Sequence, residues 1–322
     1  MKKIVFIGSG AIATAIGHIL AIKNEHEIQL LSIEEDVIES INEHRINNKS
    51  FPNVKLRKTL KATSDKNILK DAYIIFLAIP SSQTVNYIKT NQAIINPDAI
   101  LVNLAKGFGD DNKTIVQCLK DVCANPIATI KGPSFARDII NKQHTGLTVG
   151  TEKLEIYNEL KEVFKSTNIY LDYSDDIIGV ELLSILKNIY AIAMGIVDAH
   201  HDSPNLRFLV LTNAFKEMRS LLIQFGGKEE TLFKYCGFGD FGLTALNDLS
   251  RNRTLGLLIG KGFFSKDISK NVLLEGQIAV NVFCEEISKQ NSLTDHHIIN
   301  ELYKVFNNGY DISKFLTNIL ED

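Results

Sequence analysis

The apolar run Lys3-Ile4-Val5-Phe6-Ile7 ends in Gly8-Ser9-Gly10-Ala11-Ile12-Ala13 and passes directly into a helical pattern. A strand that turns on small residues into a helix is the strongest constraint on what this chain can fold into, because it marks the start of a βαβ unit. Gly8 permits a tight turn, Gly10 lets the backbone approach a pyrophosphate, and Ala13 lets helix and strand pack closely. The helix N-terminus adds amide donors and a dipole that favours phosphate. An ordinary glycine turn is the competing explanation, and the strand-before, helix-after context favours a dinucleotide.

The pattern that follows agrees with this start. β-rich runs at 3–7, 27–31, 73–78, 100–103, 127–130, 147–149 and 169–171 alternate with helical spacing at 11–23, 35–43, 82–90 and 113–122. Such alternation predicts a doubly wound parallel sheet. After about Asp175 only helical patterns remain, over 177–199, 205–225, 228–235, 243–260, 272–289, 294–307 and 311–320. The expected organisation is a Rossmann-like α/β dinucleotide-binding domain over 1–175 and an all-α substrate domain over 176–322.

Composition excludes several classes. A formal charge of −3 over 322 residues gives no electrostatic case for nucleic acid or an anionic membrane as partner. Cys118, Cys123, Cys236 and Cys284 lack metal-ligand spacing and read as reduced thiols of a cytoplasmic protein. The basic start, Met1-Lys2-Lys3, imitates a signal peptide until Gly8-Ser9-Gly10 interrupts the apolar run. His200-His201-Asp202 and His296-His297 point in different directions on a helix, so no metal is expected.

The segment 177–197 is long enough to span a bilayer, yet it contains Glu181, Lys187 and Tyr190. Those groups favour a buried helix over membrane insertion. Taking an ammonium from water is costly unless it is paired, and a half-buried lysine is suited to holding or passing a proton. A lysine that merely snorkels from a helix flank is the alternative.

After the second strand the chain reads Ser32-Ile33-Glu34-Glu35-Asp36. An acidic residue here favours a free ribose 2′-hydroxyl, so Glu34 favours NAD, with NADP as the second possibility. The same acidic residues would also suit the start of a helix.

At the remaining polar motifs the chain resembles the bacterial type of NAD(P)-dependent glycerol-3-phosphate dehydrogenase. The resemblance rests on the N-terminal fingerprint, Ile41-Asn42, Ala78-Ile79-Pro80-Ser81, Lys106-Gly107, Gly132-Pro133-Ser134-Phe135-Ala136, Gly179-Val180-Glu181 and Lys187-Asn188. It continues through Gly239-Asp240, Ser250-Arg251-Asn252-Arg253 and Glu275-Gly276, in the family's order over nearly the whole length. It implies interconversion of dihydroxyacetone phosphate and sn-glycerol 3-phosphate, with hydride transfer at a nicotinamide. Lys187 matches the general acid/base, with Lys106, Asp240 and Thr244 beside it in the catalytic set. To the cofactor contacts read from the residues themselves, Gly8, Ser9, Gly10, Ala11, Ile12, Ala13 and Glu34, the resemblance adds Pro80, Lys106, Ala136, Arg251 and Glu275, the last fixing the cofactor or the loop beside it. It assigns substrate contacts to Lys106, Gly132, Ser134, Lys187, Asn188, Asp240, Arg251 and Asn252. Arginine suits this task because its guanidinium forks onto phosphate oxygens. Ser134 has a second reading as a turn-former only. A homodimer is also implied.

The chain departs from the family pattern at several positions. Leu31 and Ile33 stand where an aromatic and an arginine are usual, and Val85 and Asn213 replace two further arginines. The substrate-loop segment becomes Ala199–Asn205, and Tyr235-Cys236-Gly237 alters a threonine-rich stretch. Two other functions compete with the leading one: a ketopantoate reductase-like keto-acid reductase, and a degenerate nucleotide-binding protein. The first has the same two-domain design but no need of Arg251-Asn252. The second is favoured by the lost arginines and opposed by Lys106, Lys187, Asp240, Arg251 and Asn252 together.

Overall fold

Residues 1–263, 274–289, 295–307 and 309–321 are described in a computed structural model. They form two units, Met1–Glu181 and Leu182–Asp322.

The first unit is built on an eight-stranded sheet. Its strands are β1 (Lys2–Ile7), β2 (His26–Leu31), β3 (Leu60–Thr63), β4 (Ile74–Leu77), β5 (Ile100–Asn103), β6 (Ile127–Lys131), β7 (Thr145–Gly150) and β8 (Ile169–Ser174). Their spatial order is β3-β2-β1-β4-β5-β6-β7-β8. Both faces of the sheet are covered. On β1, Ile4 and Phe6 join one apolar cluster while Val5 and Ile7 join another. That division follows from the two-residue period of a strand, and it explains why the run is apolar throughout. Phe6 stacks on Phe76 of β4 at 4.5 Å between centroids.

Several features of this unit differ from the pattern read in the sequence, the short helix Ala136–Ile140 among them. The sheet is not wholly parallel, since β7 pairs antiparallel with β6. β3 is an additional strand whose Lys61 is exposed between buried Leu60 and Ala62, too short an alternation to stand out. An additional helix, Leu154–Phe164, buries Ile156, Leu160, Val163 and Phe164, the one-sided spacing of a helix on a sheet.

Strand order reverses at β1, with β2 on one side and β4 on the other. Gly8 leaves the C-terminal end of β1 beside Ala78 at the end of β4, the position where open α/β sheets receive ligands.

Among the described residues, the second unit contains helices and turns without strands. Helix Ile177–Asp198 runs from the end of the first unit into the second. It is long and apolar enough to cross a membrane, but 94% of its most apolar window is buried inside the protein. The helix expected over 243–260 is two helices, Asp240–Leu246 and Arg251–Gly260. The break is built by side chains: Asn247 Oδ1 accepts from Leu249 N at 2.9 Å, and Ser250 Oγ accepts from Arg253 N at 3.3 Å. Such side-chain bonds compete with helix continuation and favour a new N-terminus. Arg251 and Asn252 therefore occupy a first helical turn rather than a helix middle. The segment expected as helix 228–235 is a 3₁₀ turn, Glu229–Phe233.

Candidate active site

In the first unit, the turn after β1 is held in place from several sides. Gly8 has φ +111°, and a Cβ there would lie 2.6 Å from Ala78 O, so only glycine is accommodated. Asn47 is fully buried; its Nδ2 donates to Ser9 O at 2.8 Å and to Thr14 Oγ1 at 2.9 Å. Ser9 Oγ and Ser32 Oγ are 2.8 Å apart, and Ser32 Oγ accepts from Glu34 N at 3.1 Å. These bonds tie the glycine turn to the end of β2. Asn47 and Ser32 carry no motif, and their part in fixing the turn is a tertiary feature that sequence spacing does not reveal.

A Cβ on Gly10 would meet nothing within 4 Å, and Gly10 and Ala11 are exposed at the start of helix Ala11–Lys23. That helix has neither a capping side chain nor an acidic residue in its first turn. Its end can receive a pyrophosphate on backbone amides, which fits a dinucleotide. Ile12 is half-buried, and Ala13 packs into the core. Pro80, exposed, precedes helix Ser81–Asn91 at the end of β4. Ile33 is 94% exposed and leaves no cation at its own position, whereas Lys49 Nζ sits 2.6 Å from Glu34 Oε1 and 3.2 Å from Asp36 Oδ2. Val85 is buried in the apolar core where a charge would be out of place.

Lys106, half-buried, follows the turn after β5. Gly132 and Ser134 follow β6, and Ser134 Oγ donates to Gly132 O at 3.0 Å, a bond that shapes the turn. Ala136, partly buried, begins helix Ala136–Ile140.

In the second unit, Lys187 and Asp240 form a buried ion pair, with Nζ 2.6 Å from Oδ1. Lys187 Nζ also donates to Thr244 Oγ1 at 3.0 Å, and Thr244 Oγ1 donates to Asp240 O at 2.7 Å. Asp240 and Thr244 stand one turn apart on the same helix, so both oxygens meet one ammonium. Burial strengthens this pairing and makes it necessary. Asn188 is buried as well.

Backbone contact positions the Arg251 helix against the Lys187 helix. A Cβ on Gly256 would lie 2.0 Å from Ile192 O, and one on Gly195 would lie 2.2 Å from Arg253 O. The two helices thus touch where both lack side chains. Arg253 reinforces the join, its guanidinium bonding Asp198 Oδ2 at 2.7 Å and also Asp248. Arg251 is exposed and Asn252 half-buried in the first turn of that helix. A Cβ on Gly276 would lie 3.7 Å from Asn252 Oδ1, which brings the start of helix Leu274–Ser288 close to Asn252. The side chain of Glu275, next to Gly276, lies outside the described residues. Asn213 is half-buried on helix Pro204–Gln224.

A sheet that reverses order beside a glycine turn, followed by a helical unit with a buried lysine–carboxylate pair, defines a Rossmann-type oxidoreductase fold. Comparison with known families narrows this class. The model for the N-terminus of NAD-dependent glycerol-3-phosphate dehydrogenase matches residues 3–157, and the model for its C-terminus matches residues 176–317. The glycerol-3-phosphate dehydrogenase [NAD(P)+] of Methanothermobacter thermautotrophicus is 36% identical over 258 residues, covering 79% of this chain and 79% of that one. That of Clostridium botulinum strain Alaska E43 is 32% identical over 309 residues, covering 95% and 93%. The crystal structure of the Coxiella burnetii glycerol-3-phosphate dehydrogenase superposes with a TM-score of 0.90 at 27% identity, over 100% of this chain and 99% of the other. The chain belongs to the NAD-dependent glycerol-3-phosphate dehydrogenase family.

Proposed function

We propose that this protein interconverts dihydroxyacetone phosphate and sn-glycerol 3-phosphate, using NAD(P)H. The observation that carries this reading is Lys187, buried and bonded to Asp240 and Thr244, in a chain of this family. When bound, the reduced nicotinamide supplies a hydride to the ketone carbon. The Lys187 ammonium donates a proton to the ketone oxygen as negative charge develops there, and in the reverse direction the neutral amine takes it back. Asp240 keeps the ammonium charged against burial and, with Thr244, fixes its direction. Lys106, Gly132 and Ser134 of the first unit and Asn188 of the second are each assigned a substrate contact. Arg251 and Asn252 take the substrate's phosphate: a guanidinium and an amide in the first turn of a helix suit an anion in charge and hydrogen-bonding capacity.

For the cofactor, Gly8–Ala13 would hold the pyrophosphate, and Pro80, Lys106, Ala136, Arg251 and Glu275 are the further residues assigned to it. Glu34 favours NAD, because its carboxylate suits a ribose hydroxyl. Lys49, bonded to Glu34, gives NADP a residual foothold. The exposed Phe208, Phe233 and Phe238 support a homodimer that buries apolar surface. Four free cysteines, three of them buried, support a reducing, cytoplasmic setting.

The test is NADH oxidation with dihydroxyacetone phosphate, unphosphorylated dihydroxyacetone and ketopantoate, repeated with NADPH. Turnover only with the phosphorylated ketone, and faster with NADH, is expected. Equal turnover without the phosphate would remove the role given to Arg251 and Asn252, and turnover of ketopantoate would replace the substrate.

A further inference from the structure

Lys131 is the last residue of β6, and its side chain is wholly buried. It shares a sheet face with Thr129, two residues earlier, and with Asn103, which pairs with Thr129 across the β5–β6 ladder. Glu181 closes over the same face, its side chain 2% exposed. Glu181 Oε1 accepts from Asn103 Nδ2 at 2.5 Å and from Thr129 Oγ1 at 2.8 Å, and lies 3.5 Å from Lys131 Nζ. Its other oxygen accepts from Val116 N at 2.9 Å in the first turn of helix Ile115–Val122.

Burying such a pair is a poor way to gain stability. Apolar side chains of the same size usually do as well or better, because both charges lose their hydration. What the pair does supply is a grip on one short stretch of backbone. Lys131 Nζ donates to Asn103 O at 3.3 Å and also to Ala105 O. Asn103 Oδ1 accepts from Ala105 N at 3.0 Å. Ala105 is thus held at its amide and its carbonyl, and the next residue is Lys106.

We infer that Lys131 and Glu181 are positioning residues for Lys106: their buried pair fixes the Asn103–Ala105 backbone from which the Lys106 side chain springs. Neither touches substrate; both act through the turn they hold. Lys131 stands outside the matched motifs, whose Gly-Pro-Ser begins one residue later, so no motif assigns it this work. The inference rests on the reading of Lys106 as a substrate-holding residue, and its test separates the two.

The primary variant is Lys131→Met with Glu181→Gln, which removes both charges, keeps both shapes and leaves no lone buried ion. The KM for dihydroxyacetone phosphate, kcat and the Kd for NADH are measured beside those of Lys106→Met and of the triple variant. The expected result is a rise of at least about tenfold in the ketone-phosphate KM, with a change in the NADH Kd no larger than that of Lys106→Met, since Lys106 is also assigned a cofactor contact. The loss should vanish in the Lys106→Met background, because coupled residues are non-additive when one acts through the other. If Lys106→Met is impaired while the paired variant keeps its KM, the positioning role is overturned and the reading of Lys106 stands. The same follows if the triple variant shows the two losses added in full. Parent kinetics in Lys106→Met would overturn both. Should the paired variant fail to fold, Lys131→Gln with Glu181→Gln, which also removes both charges but keeps an amide donor near the Ala105 carbonyl, carries the same comparison with a smaller rise in KM.

Discussion

At the scale of single residues, the most informative groups are charged side chains placed where charge is costly. Lys187 was legible because it interrupts an apolar helix, and a buried ammonium calls for a partner. Its partner was less legible. Asp240 is 53 residues away, and chemistry alone does not select it over other carboxylates. The family motif supplied that choice. Asn47 and Ser32 had no motif and could not be found this way, because their importance lies in carbonyls and hydroxyls brought to them by folding. Glu34 marks the opposite limit: its place after β2 was readable, but its bond to Lys49, 15 residues on, was not. That bond leads to a prediction. Glu34→Gln removes the carboxylate that repels a 2′-phosphate and leaves Asp36 as the partner of Lys49, so that less negative charge opposes the phosphate. The ratio of kcat/KM for NADH over NADPH should fall by about tenfold, near 1.4 kcal/mol. An unchanged ratio would show that cofactor choice is made elsewhere.

At the scale of elements, strong periodicity was readable and interruptions were not. β1, β5 and helix Ala11–Lys23 stand out because each buries a continuous or one-sided apolar set. The break at 247–250 was hidden because Leu246 and Leu249 continue the apolar pattern across it. The bonds of Asn247 and Ser250 to nearby amides prevail over that pattern. The antiparallel β7 was hidden for another reason, since strand direction leaves no mark on composition. One helix junction carries a pH dependence. Glu217, on helix Pro204–Gln224, accepts from Ile298 N at 2.8 Å and Ile299 N at 3.4 Å, at the start of helix His297–Asn307. It also accepts from Tyr190 OH at 3.1 Å. Burial raises its pKa from 4.5 to about 7, against the opposing pull of these donors. A carboxyl whose folded pKa is raised contributes its full stability below its unfolded pKa and loses it as pH climbs through the folded value. Stability should therefore fall between about pH 4.5 and about pH 7, by up to about 3 kcal/mol from this group. Glu217→Gln should flatten that slope in thermal melts taken across the range. An identical slope in the variant would assign the dependence to other groups.

At the scale of the whole molecule, the chain separates two tasks between its units. The first presents a glycine turn and an uncapped helix end suited to a dinucleotide. The second holds Lys187, Asp240 and Thr244 on packed helices, with Arg251 and Asn252 at a helix start whose position is set by the Gly195–Gly256 contact. Rigid elements suit a site that must hold a proton donor within a fraction of an ångström of its target. The resemblance leads to an expectation of arginine at Ile33, Val85 and Asn213, whereas Lys187, Asp240 and Thr244 match it and bond one another. The claim on which the account depends is that Lys187 supplies the proton. The most direct measurement is turnover of dihydroxyacetone phosphate by Lys187→Met, with NADH binding followed by nucleotide fluorescence and folding by circular dichroism. The account predicts a folded protein that binds NADH within about twofold of the parent and turns over roughly a thousandfold more slowly, within the usual range for loss of a general acid. A folded variant that keeps most of its turnover would contradict it.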